Sequence, residues 1–256
     1  MQFIRYLAPD GAANYGWVYE GKIGAVKGSI FGDYHRSEAD IPIESVRLLP
    51  PVQPSKIICV GRNYVDHALE HGAEVPQIPL LFLKPPSALI GDEDIIFIPP
   101  QSQQVEHEAE LAVVIGKKCR WVTAEEAPKV IFGYTVANDV TARDLQYKDG
   151  QWTRSKSFDT FCPLGPWIDT DFNPADALIT CHVNGELKQM ASTRDMVFNV
   201  MQLVAFISSV MTLEPGDVIL SGTPAGVSPI KPFDVVEVTI EGLGKLRNAV
   251  RAEPAH

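Results

Sequence analysis

Cysteine is scarce: Cys59, Cys119, Cys162 and Cys181 are scattered over 256 residues with no C-x-x-C pair. That disfavours a disulfide framework or a thiolate zinc site and suits a reducing compartment, so a cytoplasmic protein is expected. Positive charge is also short, with 22 Lys+Arg against 32 Asp+Glu and a formal net charge of −10. A surface this acidic, with no Lys/Arg-rich block, repels phosphate backbones and argues against nucleic acid as a partner. No apolar run approaches the ~18 residues that span a bilayer, so no membrane association is expected. The opening MQFIRYLAPDG has an Arg five residues in and no sustained apolar stretch, so it does not read as a secretory signal. Low-complexity segments and repeats of 20–50 residues are missing as well. What remains is 45% hydrophobic and 21% charged residues, punctuated by 20 prolines and 19 glycines. This is the balance of a compact enzyme or small-molecule binder built from many short elements.

The pattern along the chain is mainly β, an α+β class with few short helices. FIRYL, NYGWVYE and KIGAVKG read as half-buried strands of a small N-terminal β domain, residues 1–52. The proline-rich LLPPVQPSK is an extended connector into a larger domain, residues 53–256. KIICVG is an apolar strand, and NYVDHALEHG a short helix with Asn63 or Asp66 as cap and Gly72 as stop. VEHEAELAVVIGKK reads as one strand, TAEEAPKVIFGY as a short helix from a Thr123/Glu126 capping box followed by a strand, and ALITCHVNGELKQ as a hairpin about Asn184-Gly185. MVFNVMQLVAFISSV is helical, the stretch beyond Trp152 mostly strand, and GLGK near the end a hairpin turn because it lacks the flanking residues of a phosphate loop.

The chemistry concentrates in Val105–Leu111. On a strand Glu106, Glu108 and Glu110 share one face, and the plain reading of such alternation is a solvated edge. The continuation Ala112-Val113-Val114-Ile115 is apolar on both faces, and a doubly buried strand does not carry carboxylates without a cation. Two carboxylates at i and i+2 stand roughly 6.5 Å apart at Cα and can share one hard ion, Mg²⁺ or Mn²⁺ rather than zinc. Asp139, at the end of the apolar strand VIFGYTVA, is a candidate third ligand, with a helix N-cap as its alternative role. His67 and Glu70, three apart on a helix, form a candidate general-base pair, or a surface His with a chance acid. His67-Ala-Leu-Glu70-His71 also spells the H-x-x-E-H pattern of a zinc peptidase, on a helix short for that class. Lys84 and Lys156 lie among apolar and aromatic residues, where a lysine pairs with a carboxylate, offsets an anionic substrate or snorkels to the surface. Ser221-Gly222-Thr223-Pro224 offers either a carboxylate-binding hydroxyl or a turn.

Taken together, VGRNYVDHALEHG, FLKPPSALIG, EHEAELAVVIGK, GYTVANDVTARDLQ, RSKSFDTFCPLGP and PGDVILSGTPAGV, in that order from about Ile57 to Val250, resemble the fumarylacetoacetate hydrolase family. The resemblance implies a mixed β-roll, a homodimer, and Mg²⁺ or Mn²⁺ chemistry on short 2-oxo or 2,4-dioxo acids. It places metal ligands on Glu108, Glu110 and Asp139, the base pair on His67 with Glu70, and an active-site lysine on Lys156. It places substrate contacts on Arg143, Gln146 and Thr223, and leaves Glu106 outside the ligand set. Hydrolysis of a C–C bond in an acylpyruvate-type substrate through an enolate is the first expectation. Oxaloacetate decarboxylation and 2-hydroxyhepta-2,4-diene-1,7-dioate isomerisation are alternatives on the same site, and a non-catalytic metabolite-binding domain is the alternative of another class.

Overall fold

The computed structural model describes residues 1–70 and 72–254. Three strands, β1 (Gln2–Leu7), β2 (Ala13–Tyr19) and β3 (Lys22–Gly28), form a meander. After the proline-rich connector come β4 (Ile57–Gly61), α1 (Val65–Glu70), β5 (Leu80–Lys84) and β6 (Ile95–Ile98). The middle of the chain gives β7 (Ala109–Ile115), β8 (Ile131–Asn138), α2 (Arg143–Asp149), α3 (Thr153–Lys156) and β9 (Cys162–Asp169). The remainder supplies β10 (Leu178–Val183), β11 (Glu186–Ser192), α4 (Val200–Val210), β12 (Val218–Leu220), β13 (Val235–Ile240) and β14 (Gly244–Ala252).

The large sheet runs β3-β2-β1-β9-β8-β7-β12-β4-β5, and the second runs β6-β14-β13-β10-β11. The N-terminal meander joins the large sheet through β1, whose Phe3 lies opposite Ile168 of β9. All pairs along the large path are antiparallel except β12 with β4. The mainly β class, with few short helices, is therefore the architecture found.

Strand β7 explains where the core divides. It is buried throughout and sits between β8 and β12. Its side chains alternate, so Leu111, Val113 and Ile115 enter the larger core shared with the second sheet and α4, while Ala112 and Val114 enter a smaller one with Ile57, Cys59 and Leu164. Glu110 continues the second face. Alternation thus directs a carboxylate into the protein where the apolar filling of that face ends.

Several local readings differ from expectation. VEHEAEL is two strands, Val105–Glu106 and β7, interrupted at His107-Glu108. Asn63 does not cap α1. Its amide donates to the carbonyls of Phe198 and Ser221 and its oxygen accepts the Phe198 N–H, tying three loops together. The Thr123/Glu126 box forms as a reciprocal pair of bonds but starts only a single 3₁₀ turn, Ala127–Lys129. Beyond Trp152 the chain first makes the helical turn α3, which carries Lys156 inward. The Asn184-Gly185 hairpin is present, with both residues at positive φ of 53° and 80°. GLGK sits at the β13–β14 turn, as read.

Candidate active site

Glu108 lies just before β7, Glu110 on it, and Asp139 just past the end of β8. The β7–β8 register pairs Ala109 with Asn138, and the Asp139 N–H donates to the Glu108 carbonyl at 2.8 Å. This brings one carboxylate oxygen from each acid within 4.8 Å of the others, all three buried. The N-cap role considered for Asp139 is not the one found: α2 is capped by no side chain, and Asp139 faces lysines instead.

Three buried cations balance the acids. Lys156 Nζ bridges Glu108 Oε2 at 2.8 Å and Asp139 Oδ2 at 2.6 Å. Lys84 Nζ donates to Asp139 Oδ1 at 2.5 Å and to the Val140 carbonyl at 3.0 Å. Arg143 is held on three sides, by Glu106 at 2.7 Å, by Gln146 Oε1 at 2.6 Å and by Glu108. Burial opposes ionisation of Glu108, but Lys156 and Arg143 outweigh it and hold the carboxyl well below the usual range. Among the described residues no cation forms an ion pair with Glu110. Burial, then the charges of Asp139 and Glu108, push its carboxyl well above the usual range, and the more distant charge of Lys156 and the Gly222 N–H at 2.6 Å only partly offset them. Burial likewise disfavours the Lys156 ammonium, yet Asp139 and Glu108 raise its pKa.

His67 Nδ1 stands 3.2 Å from Glu70 Oε2, and the other Glu70 oxygen accepts the Gly226 N–H at 3.1 Å. The pair is therefore fastened to the loop that follows Thr223. A cavity of about 90 Å³ gathers His67, Glu108, Glu110, Arg143, Gln146, Lys156 and Thr223 on its walls. Every site residue that the family resemblance implies lines this cavity except Asp139 and Glu70, which sit one bond behind it. His71 of the H-x-x-E-H pattern lies outside the described residues. Among the described residues the potential metal ligands are carboxylates alone.

Lys84, read from the sequence as a lysine able to pair with a carboxylate, does so with Asp139. Three further residues were not singled out from the sequence. Arg62 and Trp152 line the cavity. The third is Gln189, a buried amide on β11 whose sole sequence signal is a polar residue on the strand face of Leu187 and Ala191. Its Oε1 accepts from Ala109 N–H and its Nε2 donates to the Pro224 carbonyl, which fixes the orientation of the amide. Nε2 also donates to Thr223 Oγ1 at 2.8 Å, and Thr223 passes its own proton to the Ala109 carbonyl at 2.9 Å. Gln189 thereby pins the Thr223 loop to the strand that bears the acids.

The donor set fits a hard divalent cation: three oxygen ligands, one of them a carboxyl pushed up by burial and by the two neighbouring acids. Four buried side-chain atoms among the described residues have no hydrogen-bond partner, on Tyr64, Thr135, Asn138 and Ser221, and two of these residues adjoin the site in the chain, Asn138 beside Asp139 and Ser221 beside the Gly222 whose N–H binds Glu110. A mainly β fold that buries an acidic triad able to hold a metal ion, beside a His–Glu pair and lysines, defines the class of site. The chain belongs to the fumarylacetoacetate hydrolase family: residues 56–251 match the fumarylacetoacetate (FAA) hydrolase C-terminal model, and residues 1–51 match an Rv2993c-like N-terminal model. It is 45% identical over 222 residues to the mitochondrial oxaloacetate tautomerase Fahd2a of Rattus norvegicus, covering 82% of this chain and 71% of that one. The crystal structure of 2-hydroxyhepta-2,4-diene-1,7-dioate isomerase from Mycobacterium marinum superposes with a TM-score of 0.91 at 44% identity, over 100% of both chains. Maleylpyruvate hydrolase from Sphingobium sp. SYK-6, in complex with manganese(II) and pyruvate, superposes at 0.82 with 33% identity, covering 99% and 100%. Membership in this family removes the zinc-peptidase reading. No helix among the described residues is long and apolar enough to cross a membrane.

Proposed function

We propose that the chain is a divalent-metal-dependent enzyme of short 2-oxo acids that interconverts the enol and keto forms of an oxaloacetate-type substrate. The observation carrying this reading is the convergence of the acidic triad, the His67–Glu70 pair and a ring of cations on one cavity of only about 90 Å³. A volume so small suits a substrate of a few carbons. The 45% identity to an oxaloacetate tautomerase supports the same substrate class.

Glu108, Glu110 and Asp139 would hold Mg²⁺ or Mn²⁺, which supplies a Lewis acid toward the 2-oxo carboxylate. His67 moves the proton: Glu70 takes the Nδ1 side, so Nε2 exchanges a proton with substrate C3 as the enol hydroxyl proton is lost or regained. Lys156 offsets the negative charge that develops on the substrate oxygen during that exchange. Arg143, clamped by Glu106 and Gln146, presents a fixed guanidinium edge to the cavity.

Hydrolysis of an acylpyruvate is a second reading, favoured by the likeness to a maleylpyruvate hydrolase with pyruvate bound. Here the same His67–Glu70 pair deprotonates water, which adds to the acyl carbon. The C3–C4 bond then breaks, its electron pair at C3 takes back the proton that His67 removed from water, and a carboxylic acid and pyruvate are released. The deciding experiment follows enol-oxaloacetate decay and acetylpyruvate loss in parallel, with Mn²⁺ or Mg²⁺ and with EDTA. Metal-dependent enol decay far above the buffer rate is the expected result. Acetylpyruvate loss alone establishes the hydrolase instead, and inertness toward both in every metal refutes the enzyme reading.

A further inference from the structure

The cations of the site are not equivalent. Lys156 and Lys84 are consumed by Glu108 and Asp139, and Arg143 by Glu106 and Glu108. Arg62 differs from all three. It lines the same cavity, it is half-buried, and no carboxylate among the described residues pairs with it. Its guanidinium lies over the Trp152 ring, 5.8 Å from the centroid, so an aromatic face holds the charge at the rim and leaves its donor edge for a ligand. The backbone there is unusual too: Arg62 has a φ of 60°, a left-handed conformation that non-glycine residues adopt at a cost. The turn takes the chain out of line with β4, and the Arg62 side chain lines both this cavity and the neighbouring groove, with Trp152 beside it in each.

Charge balance says what this arginine is for. Four buried carboxylates, Glu106, Glu108, Glu110 and Asp139, face three buried cations. A divalent ion leaves one positive charge in excess, which one substrate carboxylate neutralises. A second substrate carboxylate would be unbalanced without a further cation, and Arg62 is the cation at the rim. We infer that Arg62 is a specificity-determining residue that binds the distal carboxylate of a dicarboxylic 2-oxo acid, selecting diacids over monoacids with neutral tails. The inference rests on the 2-oxo-acid reading above and names the substrate class within it.

Malate and lactate test it, because both are 2-hydroxy acids and they differ by the distal carboxylate alone. Their binding to the Mn²⁺-loaded protein, measured calorimetrically beside oxalate, is expected to favour malate over lactate by about 10- to 100-fold, the worth of a charge-assisted hydrogen bond. Arg62→Gln should erase that preference while leaving lactate and oxalate affinities unchanged, and Arg62→Lys should retain part of it. Equal binding of malate and lactate by the native chain, with oxalate bound, overturns the role of Arg62 and leaves the 2-oxo-acid reading standing. A fall in all three affinities on Arg62→Gln also overturns it, since the residue would then merely support the fold. Failure of the native chain to bind oxalate in the presence of the ion overturns the functional reading and this inference together.

Discussion

Residues 106–110 put two opposite kinds of polar interior on the two sides of one stretch of chain. On one side Glu106, Glu108 and Glu110 enter a crowd of charges in which one carboxyl, Glu110, makes no ion pair among the described residues. On the other side His107 enters a neutral node: its Nδ1 lies 3.0 Å from Gln189 Oε1 and 3.3 Å from Cys181 Sγ, and its Nε2 lies 2.9 Å from Ser228 Oγ. Because Gln189 Oε1 can only accept, Nδ1 carries the proton and Nε2 accepts from Ser228. Every proton in the node has one place to be. A neutral network can be closed with hydrogen bonds alone, and it then fixes geometry. A charged cluster left one cation short is poised to take one up. The neutral side holds the geometry, and the charged side carries the candidate site.

The largest test of that division is Glu108→Ala. Arg143 and Lys156 each lose a buried anion, which should cost about 3–5 kcal/mol in chemical denaturation and abolish Mn²⁺ binding in a titration. Next comes Gln189→Leu. Leucine fills the space but strands the Ala109 N–H and the Pro224 carbonyl, so a loss of about 2–3 kcal/mol is expected. Catalytic efficiency should fall through the displaced Thr223 loop, yet Mn²⁺ affinity should hold. If Gln189→Leu abolishes metal binding as fully as Glu108→Ala, the two sides are one cooperative unit and the division fails.

How much of this was visible in the sequence follows from the range of the forces involved. Period-two alternation is local, so the β class and the inward aim of Glu108 and Glu110 could be read from neighbouring residues. Charge in an apolar setting is also local, which exposed Asp139 and Lys156. Asn63, one of two cap candidates beside Asp66, serves elsewhere because its partners, Phe198 and Ser221, are more than a hundred positions away. Gln189 was missed for the same reason: its meaning comes from Ala109 and Pro224. Arg62 was passed over inside a helix-start motif because nothing in G-R-N-Y announces a left-handed arginine. The helical turn α3 is too short to display a period, so the stretch read as strand.

The third test uses pH. Glu110 must lose its proton to bind an ion, and its carboxyl lies well above the usual range without one. Metal affinity should therefore climb as pH rises from about 4.5, up to tenfold per unit, and level off once the raised pKa is passed. Below that plateau each ion releases about one proton, measurable by calorimetry in two buffers of different ionisation heat. Stability of the metal-free chain should run the other way. A carboxyl raised on folding contributes fully below its unfolded pKa, and that contribution is lost as pH rises through the folded value. Glu110→Gln should flatten both curves. A flat affinity profile in the native chain would show that the charged side is already balanced.

The smallest effect expected is Ser228→Ala, and it probes the neutral side most directly. Removing the hydroxyl leaves the Nε2 lone pair of His107 without its donor, at a cost of about 1 kcal/mol. The ring cannot compensate by taking up a proton, because burial already pulls its pKa down. Nor can it exchange tautomers, since Gln189 Oε1 requires the proton on Nδ1. The native chain should therefore show a single neutral Nδ1–H tautomer in long-range ¹H–¹⁵N spectra, and Ser228→Ala should keep it with a modest loss of stability. A switch to the Nε2–H form would mean that the Gln189 amide can turn over. The neutral node would then be adaptable, and the fixed hold on Thr223 would have to come from the Ala109 carbonyl alone.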